Sequence, residues 1–257
     1  MGGAVTADEY LRSILAREAP PAGARAPVRQ VEAEIGALCR DIVGDKLLGI
    51  HPTGGVEKGT TNATGLSVDL LVSLAPGLDR PVGEIYEAIY AALDARGHEL
   101  IRRDISVAAL MGDIGVDIVP GRREAMTSDV HEFWLSRPQR TVKTNLTQHI
   151  LDIAASGRRE EIRVLKLWRE QRELDFPSFY LELTVRAALR QHPKGDLAAN
   201  VWAVFGYLEN LFPARSVVDP ANANNIVSDL LTASERGAIR KAAGFARAAR
   251  AWTDIIA

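Results

Sequence analysis

The spacing of apolar residues divides the chain into an N-terminal part of mixed periods and a C-terminal part that is helical throughout. Tyr10, Leu11, Ile14 and Leu15 recur at steps of three and four. Thr6 stands three residues before Glu9, the spacing of a capping box, which predicts a helix over 6–17. The run APPAGARAP breaks it, and Val31, Ile35, Leu38 and Ile42 mark a second helix over 28–44. KLLGIHPTGG reads as a strand ending in a glycine turn, and LSVDLLVSL as a second strand stopped by APGLDRP. Pro81 opens a helix that Gly97 closes. DISVAALMGDIGVDIVPGRR predicts two short strands around a Met-Gly-Asp turn. Four helices are then expected over 145–156, 158–172, 177–191 and 196–211. The loop FPARSVVDPANANNIVSD precedes a last helix over 232–252. The expected class is α+β: a small mixed β-sheet core with an N-terminal helical segment over 1–141, and a C-terminal helical domain over 142–257.

Composition narrows the class without naming a function. Of 257 residues 47% are hydrophobic and 25% charged, enough for a substantial buried core. A formal net charge of -2 gives no global signal for nucleic acid. The single cysteine, Cys39, excludes an intramolecular disulfide and reads as a small core residue of the second helix. The expected compartment is the cytoplasm. No apolar run reaches the ~18 residues of a membrane span, so no membrane partner is expected. The start MGGAVTADEYLRS lacks the basic and apolar regions of a secretory signal, and MGGAVT fits a myristoylation pattern only weakly.

The chemistry concentrates in GGVEKGTTNATGLSVDLLVSL, residues 54–74. Strand side chains alternate faces, so Ser67, Asp69 and Leu71 share one. Asp69 is flanked by apolar neighbours, where an acid is costly unless paired or bound to a cation. Asp117, in GVDIVP, has the same character. If the two strands pair, the acids face one another across ~5 Å, a repulsive arrangement unless a cation or proton intervenes. Oxygen-only ligation suits magnesium with substrate phosphates. Gly54, Gly55 and Gly59 allow backbone amides to approach an anion, while Thr60 and Thr61 add hydroxyl donors. A glycine pair followed by KGTT also occurs in ordinary turns, so the loop alone does not separate phosphate binding from a plain turn.

The set GGVEKGTTNATGLSVDLLVSL followed by VDIVP resembles the DNA polymerase beta-like nucleotidyltransferases. It is most like the branch of CCA-adding enzymes, oligoadenylate synthetases and bacterial cyclic-oligonucleotide synthases, relatives of cyclic GMP-AMP synthase. RREEIRVLKLWREQRELDFPSFYLELTV and VVDPANANNIV extend the likeness to roughly residues 30–250. The resemblance implies an active cleft between a nucleotidyltransferase core and the helical domain. It implies that Gly54, Gly55, Lys58, Thr60, Lys166 and Ser178 bind nucleotide, and that Asp69 and Asp117 are the second and third metal-binding acids. Magnesium or manganese is the implied cofactor. The implied partners are ATP- or GTP-type nucleotides, with a nucleotide or RNA end as acceptor. Ser67 departs from the pattern, standing where the first acid belongs.

Ser67 admits three readings: a natural loss in a pseudoenzyme, a substitution that traps a substrate complex, or a change tolerated because Glu57 or Asp113 replaces the acid. Bland readings stand beside the others. Lys166 lies in RVLKLWR beside Arg163 and Arg169, which read as solvated, and Ser178 follows Pro177 at a helix start. Trp168 and Trp202 read as core, and His51 and His149 as packing residues. Arg122 and Arg123 are exposed turn residues or contacts to an acceptor phosphate. Three functions follow. The first is a magnesium-dependent nucleotidyltransferase that makes a cyclic or linear oligonucleotide messenger of the antiviral kind, with an RNA-terminal transferase as a variant. The second is a nucleotide-binding pseudoenzyme or sensor. The third is an α/β interaction protein.

Overall fold

The computed structural model describes residues 5–20, 25–137 and 139–257. The myristoylation pattern's first residues, 1–4, and residues 21–24 of the APPAGARAP break lie outside the described residues. The elements are α1 (Ala7–Arg17), α2 (Arg25–Val43), β1 (Leu47–Thr53), α3 (Gly54–Lys58), β2 (Ser67–Leu74), α4 (Val82–Asp94), β3 (Glu99–Arg102), β4 (Val107–Met111), β5 (Ile114–Arg123), β6 (His131–Leu135) and β7 (Arg140–Thr144). They continue as α5 (Leu146–Ser156), α6 (Arg159–Gln171), α7 (Ser178–Ala188), α8 (Leu197–Asn210), β8 (Val218–Asp219), β9 (Asn222–Ile226) and α9 (Ala233–Ala248). The chain is α+β with a mixed sheet, as the periodicity predicts.

Two compact units form. One holds the described residues through Ala19, Asn62–Thr64 and Asp152–Ala257; the other holds the described residues from Pro20 to Thr61 and Gly65–Leu151. The first helix, expected with the sheet core, thus belongs to the helical unit.

The sheet unit carries a 7-stranded sheet in the order β1-β2-β5-β4-β3, with β6 pairing β5 and β7. β2 and β5 run parallel and the other pairs antiparallel. Alternation decides which side chains go where. Val68, Leu70 and Val72 of β2 join Val116 and Ile118 of β5 in a core closed by α2 and α4, through Ile35, Leu38, Tyr86 and Ile89. The intervening positions, Leu71 and Val119, pack on the other face with Phe133. Asp69 and Asp117 share the parity of this second group. Strands β3, β6 and β7 go beyond what the hydrophobic pattern predicts, because they are only four or five residues long. The glycine pair opens the one-turn helix α3 rather than an open turn. Its end is closed by Gly59 in the left-handed region (φ 69°), with Thr60 N donating to Gly55 O at 2.9 Å.

The helical unit buries Trp168, Tyr180, Phe205 and Phe212 together with Leu11 and Ile14 of α1. The Thr6–Glu9 capping box is present, and Tyr10 Oη donates to Ile256 O at 2.9 Å. Trp168 is core as expected. Trp202 is not: it is 36% exposed and meets Trp252 edge-on, because the face of α8 that carries it turns to solvent. Arg163 and Arg169, read as solvated, are used internally. Arg163 Nη2 donates to the carbonyls of Leu15 (3.0 Å) and Glu18 (2.9 Å), and its Nε donates to Asn62 Oδ1. Burial lowers the pKa of Arg163. Arg169 Nη1 donates to Phe176 O and Ser178 Oγ, both at 2.9 Å. Among the described residues no helix is long and apolar enough to cross a membrane.

Candidate active site

The parallel pair β2–β5 aligns Ser67 with Gly115, Asp69 with Asp117, Leu71 with Val119 and Ser73 with Gly121. Adjacent strands lie about 4.8 Å apart, so the two acids are neighbours on one face. β1 places Thr53 opposite Asp69, and β4 places Ala108 opposite Asp117.

Each carboxylate is held by backbone geometry set nearby. Thr53, in extended conformation, leads into α3, and Gly54 follows at φ 66°. A Cβ on Gly54 would stand 1.8 Å from Asp69 Oδ2, so only glycine lets the carboxylate lie this close to the chain. The next amide, Gly55 N, donates to Asp69 Oδ2 at 3.2 Å. Asp117 is buried and accepts from Ser106 Oγ at 2.8 Å. Arg103 Nε lies 3.2 Å from the same oxygen, Oδ1, as an ion pair.

Ser106 and Arg103 belong to the β3–β4 turn, which Tyr86 holds from behind. Tyr86 Oη bonds the carbonyls of Arg103 (3.1 Å) and Ser106 (3.0 Å). Burial pushes the Tyr86 hydroxyl up to about 12, so it remains a donor at neutral pH. Neither Arg103 nor Ser106 stands out in the sequence, although a signal exists. A two-residue Gly112–Asp113 hairpin pairs Met111 with Ile114, and counting back places Ala108 opposite Asp117 with Ser106 diagonal to it on the same face.

Lys58 and Thr60 are buried rather than turned to solvent, at 8% and 0% exposure. Lys166 is in the helical unit, buried, with Nζ donating to Glu182 Oε1 at 2.8 Å. Ser178, exposed at the start of α7, accepts from Arg169. Arg122 is engaged with Glu132 and Leu78 O, and Arg123 with Ser73, Met126 O and Asp129. His149 is a buried partner of Thr144 Oγ1 (3.0 Å), while His51 is exposed on β1 rather than packed, because it faces away from the α2–α4 core.

Two hard, oxygen-donating carboxylates side by side suit a divalent cation such as magnesium. Among the described residues no group of three or more His, Cys, Asp or Glu has a metal-holding arrangement. Asp113 sits in the exposed hairpin turn and Glu57 on α3. Asp69 and Asp117 thus offer two carboxylates on one face, and Ser67 adds at most a neutral hydroxyl.

The fold is that of nucleotidyltransferases of the polymerase-beta-like kind. No protein-family profile matches the sequence, and no curated protein does. Solved structures do match in fold. CdnC of E. coli MS115-1, solved in a complex with HORMA-deltaN, superposes with a TM-score of 0.74 at 19% identity, covering 97% of this chain and 96% of that one. The CD-NTase CdnG of Bradyrhizobium diazoefficiens, solved with GTP, gives 0.71 at 14% identity over 94% and 91%. A cytoplasmic RNA terminal U-transferase gives 0.61 at 12% identity over 95% and 94%.

Proposed function

We propose that the protein is a divalent-metal-dependent nucleotidyltransferase that transfers a nucleoside monophosphate from a nucleoside triphosphate to a hydroxyl. The observation that carries this reading is the register of Asp69 with Asp117, with Asp69 laid against Gly54 and Gly55, on a fold shared with such enzymes. Asp69 and Asp117 would hold magnesium or manganese, which supplies charge neutralisation of the triphosphate and a more acidic acceptor hydroxyl. In the transfer the acceptor oxygen bonds to the α-phosphorus as the bond to the departing pyrophosphate breaks. The acceptor's proton leaves, and in this reading Asp117 would orient that hydroxyl and take the proton. The Gly55 amide donates to the Asp69 carboxylate, and Gly54 leaves the chain beside it without a side chain. Orientation and electrostatics, rather than covalent catalysis, are the protein's share.

The finer reading is a cyclic or linear oligonucleotide messenger of the antiviral kind, made in the cytoplasm. Support comes from the fold's likeness to CdnC and CdnG and from the lack of a global basic excess that would favour an RNA end. The second reading, a nucleotide-binding protein without turnover, is favoured by Ser67 and by the Arg103 ion pair on Asp117. Incubation with labelled ATP, GTP, CTP and UTP plus magnesium or manganese separates them. Product that vanishes in Asp69→Ala supports the enzyme. Nucleotide binding with no product, even after Ser67→Asp, supports the sensor.

A further inference from the structure

We infer that Arg103 is a built-in competitor for the cation position on Asp117, displaced when a divalent metal binds, and that it thereby sets the metal affinity of the site. This rests on the reading of Asp69 and Asp117 as metal ligands.

The geometry has two parts, an anchored backbone and an exposed charge. The turn is fixed: Arg103 N donates to Ser106 O at 3.0 Å, and Ser136 Oγ donates to Arg103 O at 3.0 Å, beside the Tyr86 bonds to both carbonyls. From this anchor the Arg103 side chain, 58% exposed, reaches the Asp117 carboxylate, whose side chain is 8% exposed. Its neighbour Arg102 is committed elsewhere, lying 3.4 Å over the Tyr90 ring and bonding Glu87 at 3.0 Å. Of the arginine pair, Arg103 alone meets Asp117.

Charge then decides the competition. Asp69 and Asp117 supply two negative charges, and Arg103 returns one positive charge to the same oxygen that Ser106 already bonds. This guanidinium offsets the formal charge of Asp117. A dication approaching Asp117 meets a like charge about 3–4 Å from its ligand atom, a repulsion that swinging the exposed side chain into water relieves. Ser106 plays the opposite part. Its hydroxyl is a neutral donor that keeps the carboxylate oriented whether or not a metal is present.

The test is titration of Mn2+ alone, followed by electron paramagnetic resonance of the unbound ion, into the full chain and its Arg103→Gln, Arg103→Lys, Asp69→Asn and Asp117→Asn variants, each confirmed folded by circular dichroism. Arg103→Gln is expected to bind Mn2+ about tenfold more tightly than the parent, from loss of a half-exposed ion pair and a like charge. Arg103→Lys, which keeps the charge, is expected to stay near the parent. Equal or weaker binding by Arg103→Gln overturns the inference while leaving the metal site in place. Binding that neither Asp69→Asn nor Asp117→Asn reduces overturns the metal reading itself.

Discussion

Asp69 and Asp117 occupy one register line of a parallel strand pair, yet they are held differently: Asp69 by the Gly55 amide, Asp117 by Ser106 and Arg103. Losing either carboxylate should weaken binding of magnesium-ATP by more than the about 10- to 100-fold typical of changes to outer-sphere partners. Calorimetry on Asp69→Asn and Asp117→Asn checks this. Unchanged affinity in both would remove the acids from the site.

Ser67 faces Gly115 across the same pair, and a Cβ on Gly115 would already lie 3.6 Å from Ser67 Cβ. Glycine there leaves the flank of Ser67 open, so Ser67→Asp should fold. It would add a third carboxylate to the face of Asp69 and Asp117. Without metal the three repel. With magnesium the variant should gain thermal stability that the parent gains less of, because ligand binding to the folded state stabilises it. Nucleotidyl transfer should rise by about a hundredfold or more, the scale of restoring one electrostatic group in a preorganised site. A Ser67→Asp variant that binds nucleotide and stays inert would refute the enzyme reading.

Gly54 combines a left-handed φ of 66° with an α-carbon against the Asp69 carboxylate. Gly54→Ala is strained twice. The backbone term is about 1–2 kcal/mol, and the methyl must push Asp69 out of place. Chemical denaturation should show a loss of about 2 kcal/mol or more. Gly65 has nearly the same φ of 69° with open space around it, so Gly65→Ala should lose only the backbone part and keep metal binding.

The acids, their facing strands and the capping box over Thr6–Glu9 were legible in sequence because each depends on local period or spacing. Arg103, Ser106 and Tyr86 were not, because their role arises where a hairpin register meets a helix side chain 17 and 20 residues earlier in the chain. Lys166 shows the same limit. Its spacing on α6 is visible, but the carboxylate it meets is on α7, and Glu182 looks like an ordinary helix glutamate. Strands β3, β6 and β7 escape a pattern reading since each is only four or five residues long: β3 and β7 bury little, and in β6 Trp134 stands between the buried Phe133 and Leu135, so the sequence shows no alternation there.

Buried His131 makes stability depend on acid. Its Nδ1 is 3.0 Å from Asp129 O, a carbonyl, so Nδ1 carries the proton and Nε2 accepts from Ser73 Oγ at 2.9 Å. Ser73 in turn accepts from Arg123 Nε at 3.3 Å. Burial lowers the His131 pKa, and the nearby charges of Arg123 and His51 lower it further, while the Asp129 carbonyl and carboxylate oppose them. A group whose folded pKa is depressed stabilises the fold above its unfolded value of about 6.5 and loses that contribution as pH falls through the folded value. Protonation would set two donors against a serine whose own proton then lacks its acceptor. Melts from pH 8 down to 5 should show a decline below about 6.5 that is shallower in His131→Gln. Identical slopes would refute it.

Lys166 and Glu182 form a pair inside the helical unit, with side chains 10% and 1% exposed. The resemblance gives Lys166 a phosphate, but its ammonium already meets a carboxylate at 2.8 Å. Removing either member leaves a buried charge without this counter-ion, at about 3–5 kcal/mol. Lys166→Gln and Glu182→Gln should therefore lower the melting temperature by comparable amounts, about 10 °C for a chain of this size. Affinity for magnesium-ATP distinguishes the two roles. A purely structural pair lowers it equally in both variants. A phosphate-binding lysine loses more affinity in Lys166→Gln than in Glu182→Gln, where the ammonium survives with one fewer competitor. Melting and titration on the same two proteins thus assign Lys166, and a variant pair with unaltered stability would show that the ion pair contributes nothing net to the fold.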